Sequence, residues 1–191
     1  MKRLAVCLAG CLLLSGCGGL PQAREPEDTV LMRILGVDET DHGVTLTAAS
    51  AAQSDKEPVV LSVTADTAEN AMVALEGAGE GYVSLVYVTQ IILGADTPVE
   101  TVLTRVMGEK RMGQTATVWM TASGTAQELI EQTQGSADRL TSIEQNTDVT
   151  ALTVLEASAE LFETKEIMLP VLAVEDKKLV AAGYSVVREG D

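Results

Sequence analysis

The run YVSLVYVTQIIL, Tyr82 to Leu93, limits this chain more than any other feature. It is almost wholly apolar and rich in β-branched residues, without the polar alternation of a strand that has one wet face. Such a segment belongs at the centre of a sheet, and that sheet needs further layers over it. The neighbouring segments supply both. TVLMRILGVD and GVTLTAAS are strand-like runs joined by the turn-rich ETDHG, a first hairpin, and PVVLSVTA adds a third strand. TATVWMTAS, Thr115 to Ser123, reads as another strand. IMLPVLAV and LVAAGYSVV close the chain as a second hairpin across the polar joint Glu175 to Lys178. Pro170 has no amide to give to a ladder, so its strand lies at an edge or carries a bulge.

Helix starts are marked by capping residues. Asp66 with Glu69, Thr97-Pro98-Val99-Glu100, and Thr125 with Glu128 each place a capping side chain three residues before a glutamate. The first of these helices should run to about Glu76 and stop at Gly77. Two more are expected over Ser136 to Gln145 and about Val149 to Phe162, where Leu152, Leu155 and Phe162 recur near helical spacing. The expected fold is therefore α+β: a mixed β-sheet with helices packed against it, as a single domain over residues 29–191. There is no internal repeat.

The amino terminus has a different character. Lys2 and Arg3 precede an apolar run from Leu4 to Leu14, which is followed by Ser15 and Gly16, the layout of a secretion signal. The run is about eleven residues, short of the ~20 that cross a bilayer as a helix. Leu14-Ser15-Gly16-Cys17 resembles the lipobox of bacterial lipoproteins. That resemblance implies a signal peptide over residues 1–16, cleavage after Gly16, and an S-diacylglyceryl group on Cys17, whose new amino terminus is open to N-acylation. Cys7 and Cys11 fall in the removed segment, so the mature chain keeps one cysteine and can form no internal disulfide. Residues 17–28 are read as the lipidated terminus and tether; the eleven residues after Cys17, GGLPQAREPED, reach at most ~40 Å, which keeps the domain near the membrane surface.

Loss of Lys2 and Arg3 leaves 11 basic against 28 acidic residues, a net charge of −17. Phosphate backbones repel such a surface, and five aromatic residues offer little stacking, so nucleic acid is excluded as a partner. Anionic lipid head groups repel it too.

Each candidate for chemistry has a plainer explanation. GAGEG, Gly77 to Gly81, follows a helix and precedes a strand, the reverse of a phosphate-binding loop. DETDH, Asp38 to His42, gathers three carboxylates and the only histidine, yet it lacks EF-hand spacing and reads as a solvated hairpin turn. One histidine, no G-x-S-x-G elbow and no free mature thiol give a nucleophilic site little to build on. Paired carboxylates for a glycosidase are always available among 28 acids, so their presence discriminates poorly. Trp119 is expected in the core. No catalytic, cofactor-binding or metal-ligating residue is assigned, and Cys17 is the one site residue.

The order of pieces carries a further resemblance. A lipobox, REPED leading to a strand that ends ILGVD, a DTAENAM helix start, VYVTQIILG followed by DTPVE, VWMTASGTAQELI, and finally LPVLAVED with LVAAGYSVV are similar to the N-terminal domain of the Ger(x)C family. These are lipoprotein C subunits of germinant receptors in spore-forming Gram-positive bacteria. Members usually continue through two further domains, and they often carry a histidine where this chain reads Tyr87-Val88-Thr89-Gln90. The resemblance implies a noncatalytic subunit, tethered by Cys17 to the outer face of the inner spore membrane, working beside integral membrane A and B subunits. The alternatives are a solute-binding or cell-envelope lipoprotein unrelated to sporulation, and an envelope hydrolase built on two carboxylates.

Overall fold

A computed structural model describes residues 29–190, apart from 41, 52–56, 111, 135 and 136. Along the chain these form β1 (Thr29–Thr40), β2 (Gly43–Ser50), β3 (Val60–Ala65), α1 (Ala68–Glu76), β4 (Tyr82–Ser84), β5 (Gln90–Leu93) and α2 (Val99–Gly108). There follow β6 (Thr117–Thr121), α3 (Ala126–Thr133), α4 (Ala137–Asn146), α5 (Val154–Thr164), β7 (Glu166–Glu175) and β8 (Lys178–Arg188). The sheet order is β3-β2-β1-β5-β6-β7-β8, with β4 also paired to β1. The middle of the sheet is parallel, since β5 pairs with β1 and β6, and β6 with β7, in that sense. The two hairpins make its flanks antiparallel. This is the expected mixed sheet with helices packed against it.

Helices cover both faces because the central strands are apolar on both. Ile91 and Leu93 pack with Leu35, Val37 and Val118 under α1, α2 and α5. Ile92 turns the other way and joins Ile34, Trp119 and Leu172 under α3 and α4. Close approach on this second face depends on Gly36 of β1: a Cβ there would lie 2.6 Å from Ile130 Cδ1 and 3.1 Å from Ala126 Cβ of α3.

The apolar run from Tyr82 to Leu93 is not one strand. Its two ends both run parallel to β1, but Leu85–Thr89 lie opposite only Met32 and Arg33, where β1 itself has an irregular register. Five residues facing two cannot stay in a ladder, so the excess turns outward, with Val88 N–H donating to Leu85 O at 3.1 Å. Leu85 and Val88 are buried, while Val86 and Tyr87 are exposed. Thr89 N–H then donates to Arg33 O at 2.9 Å, and β5 resumes the ladder at the sheet's midpoint.

Three helix starts differ from expectation. Thr67, not Asp66, caps α1, accepting from Asn70 N–H at 3.2 Å, while the Asp66 carboxylate accepts from the Asn70 side chain at 2.8 Å. Pro98 is the N-cap of α2 and has no capping side chain, because the Thr97 hydroxyl is bonded to β1 instead. The third is α5, which begins at Val154 behind a reciprocal capping box of Thr153 and Glu156, not near Val149. The preceding segment stays extended because Leu152 O accepts from Val118 N–H of β6 at 2.9 Å. Moving the start turns the helix: Val154, Ala157 and Leu161 face the core, leaving Leu155 51% and Phe162 78% exposed. The Thr125–Glu128 box on α3 forms as expected. Pro170 sits beside a register shift against β8, the bulge its missing amide requires.

This orientation of α5 is tested by truncation. Leu161→Ala should cost about 2 to 5 kcal/mol in urea unfolding, and Thr153→Ala about 1 kcal/mol through the lost cap. Leu155→Ala should stay within about 0.5 kcal/mol of the parent chain; a core-sized loss there would overturn the assignment.

Candidate functional site

The carboxyl ends of parallel strands are where open sheets with helices on both faces place their ligand sites. In this chain the protein itself fills that end at β1 and β5, while a cavity of about 310 Å³ lies beside the end of β6, lined by Gly124, Thr125, Glu128, Gln132 and Leu172. Asp38, expected in a solvated turn, is a strand residue and only 8% exposed. β1 and β2 stay paired as far as Thr40 and Gly43, so the hairpin connection is shorter than ETDHG suggests and draws Asp38 into the sheet. Its two carboxylate oxygens accept from the first amides of α3: Ala126 N–H at 2.7 Å and Gln127 N–H at 3.0 Å. These donors have no partner within their own helix, and the helix dipole favours negative charge there.

The neighbouring loops lock around this carboxylate. Gly94 N–H donates to Val37 O at 3.0 Å, and Ala95 N–H donates to Gly124 O at 3.1 Å. The Thr97 hydroxyl donates to Val37 O at 3.2 Å and accepts from Glu39 N–H at 3.3 Å. Gly94 is required here, since a Cβ would lie 2.2 Å from Asp38 Oδ1. Burial pushes the Asp38 carboxyl above its ordinary range, and the two α3 amides pull it back in part. Glu39, the next residue, forms a two-pronged pair with Arg105 of α2, at 2.5 and 3.0 Å. Two of the three acids of DETDH thus join elements together; Asp41 lies outside the described residues. With its end amides already holding Asp38, α3 has no free terminus to offer a phosphate.

Beside this junction a cleft of about 540 Å³ separates α1 from α2. Its floor is Leu35, Val37 and Leu46, its apolar walls include Met72, Val106 and Met112, and its mouth carries Glu69, Arg105 and Glu109. The volume is that of a small-ligand pocket. Its apolar lining residues, however, are each 9% exposed or less.

The remaining candidates take structural places. Gly77 is the C-cap of α1, its N–H reaching Ala74 and Leu75 carbonyls, so GAGEG ends a helix. Trp119 is fully buried and donates through Nε1 to Gln90 Oε1 at 2.7 Å. Gln90 Oε1 also accepts from the Thr117 hydroxyl at 2.5 Å, and the Glu144 carboxyl of α4 is raised by burial, with the Gln90 side chain opposing the shift. This polar connection between β5, β6 and α4 has no signal in the sequence, because a glutamine in an apolar run gives no hint of its partners. Cys17 lies outside the described residues. Among the described residues no three His, Cys, Asp or Glu side chains are grouped as a metal site, and no helix is long and apolar enough to cross a membrane.

Comparison with known proteins gives one structural likeness. No family model matches the chain, and no curated protein matches it. It is similar to a solved structure described as the crystal structure of the GerBC protein, at 17% identity and a TM-score of 0.43, over 90% of this chain and 50% of that one. The chain thus spans about half the length of that structure.

The Asp38 junction makes two measurable demands. Asp38→Ala leaves two amides buried without an acceptor and should cost about 1 to 3 kcal/mol; Gly94→Ala, which displaces the same carboxylate, should lower the urea midpoint as well. Because the folded chain raises the Asp38 pKa, it binds that proton more tightly than the unfolded chain does. The stability this group contributes is therefore greatest at low pH and declines as pH rises from the ordinary value of 3.8 through the raised one. Urea midpoints of the parent chain minus those of Asp38→Ala should fall across that interval; a flat difference would refute the assignment.

Proposed function

We propose that this chain is a lipid-anchored, extracytoplasmic and noncatalytic subunit or accessory of a spore germinant receptor, acting through contacts with membrane protein partners. The observation that carries the anchor is Cys17 directly behind Leu14-Ser15-Gly16 at the end of a short apolar run. Two acyl chains give stable attachment where one gives only marginal binding. A tether of residues 17–28 then holds the domain close to its partners, and at that effective concentration individually weak contacts suffice. The order of motifs from REPED to LVAAGYSVV, similar to the Ger(x)C N-terminal domain, supports the receptor assignment. Integral membrane A and B subunits are the partners it implies.

The noncatalytic reading is supported by how the acids are used. Asp38 is the one buried carboxylate among the described residues, and it is committed to the α3 amides. Glu39 is committed to Arg105. A second reading, a solute-binding envelope lipoprotein, is favoured by the cleft between α1 and α2.

Fractionation of spores and growing cells, with mass analysis of the mature N-terminal peptide, tests the proposal. A diacylated Cys17 peptide in the spore inner membrane, lost on Cys17→Ala, is the expected result. An unmodified soluble protein would refute the anchor, and a lipoprotein confined to growing cells would refute the germination role in favour of the second reading.

A further inference from the structure

α5 has more apolar surface than the sheet covers. Val154, Ala157 and Leu161 face the core. Leu155, Ala159 and Phe162, at i, i+4 and i+7, form a second apolar stripe that points to solvent. Phe162 is the only phenylalanine of the chain and is 78% exposed. Beside this stripe, Glu156, Glu160 and Glu163 repeat the same spacing as an exposed acidic row. On the stripe's other side a groove of about 130 Å³ runs between α2 and α5, lined by Leu103, Ser158, Leu161 and Phe162, with Glu100 and Glu189 at its rim. The Ser158 hydroxyl is buried there without a hydrogen-bond partner. Lys165 lies over the Phe162 ring at 5.2 Å and is paired with Glu189, so the cation marks one end of the stripe and leaves the acidic row unbalanced.

We infer that the exposed face of α5, with the α2–α5 groove, is a docking surface for an amphipathic helix of a partner protein that carries lysine or arginine along one flank. Charge selects this occupant. A second copy of the mature chain would bring an identical glutamate row and a net charge of −17 against the first. A basic flank would instead meet Glu156, Glu160 and Glu163, while apolar side chains cover Leu155 and Phe162 and one of them enters the groove. Phenylalanine is enriched at protein interfaces, and Phe162 with the adjoining groove supplies an aromatic anchor beside a pocket that fits one side chain. The inference deepens the proposed contact role by naming the partner's chemistry.

The test titrates the purified chain in dilute non-ionic detergent, where binding does not depend on the state of Cys17, with two synthetic fifteen-residue helices that share a leucine face and differ in having lysine or glutamate flanks; detergent alone is the blank. The lysine-flanked helix should bind saturably, and Phe162→Ala should weaken it about tenfold or more. The double change Glu160→Lys, Glu163→Lys should weaken it comparably, while Val73→Ala, an exposed apolar residue on α1, should leave it unchanged. Equal binding by Phe162→Ala, equal binding of the glutamate-flanked helix, a signal no larger than the blank, or peptide-free self-association lost on Phe162→Ala would each overturn the inference. The titration needs no spore component, so its failure leaves the fractionation result standing, and the reverse holds.

Discussion

The carboxylate of Asp38 joins parts of the chain far apart in sequence. It sits at the end of β1 and satisfies the first amides of α3, some 88 residues further on. The loop after β5 is closed over it by Gly94, which cannot be replaced by a larger residue without collision. Three parallel strands thereby end against one anion, and the α3 terminus that might have taken a ligand is already filled. Replacing water around that carboxylate by two amides and a helix dipole offsets its burial only in part, which is why its proton is held more tightly than usual.

That arrangement bears on function by exclusion of site and by placement. With the amides of α3 taken by Asp38, two surfaces stand out for recognition: the cleft between α1 and α2 and the outward side of α5. The first is floored by residues already shielded from solvent, whereas the second displays an aromatic ring and a leucine to water.

Most of the elements were legible in the sequence, and the misplaced ones share a cause. Thr125 and Thr153 both stand three residues before a glutamate, and both caps form. Only the first stands out as a start, because the spacing of Leu152, Leu155 and Phe162 extends a helical pattern back to about Val149. Thr97 has the same pattern yet spends its hydroxyl on β1. Local chemistry proposes a cap; a competing acceptor brought close by the fold decides whether it is used. The strand Tyr82–Leu93 failed as a unit for a similar reason, since its register is fixed by an irregularity in β1 that its own residues do not encode.

What the sequence determined alone is the class of most elements, the apolar centre of the sheet and the surplus of acid. These follow from side-chain period, composition and short motifs, which are local properties. What the tertiary structure decided is which polar groups are buried and what they meet. Asp38, in a stretch with every mark of a wet turn, became the buried cap of a distant helix; Phe162, apolar and at helical spacing, was left in water. Both outcomes depend on long-range packing, and no window of neighbouring residues contains it.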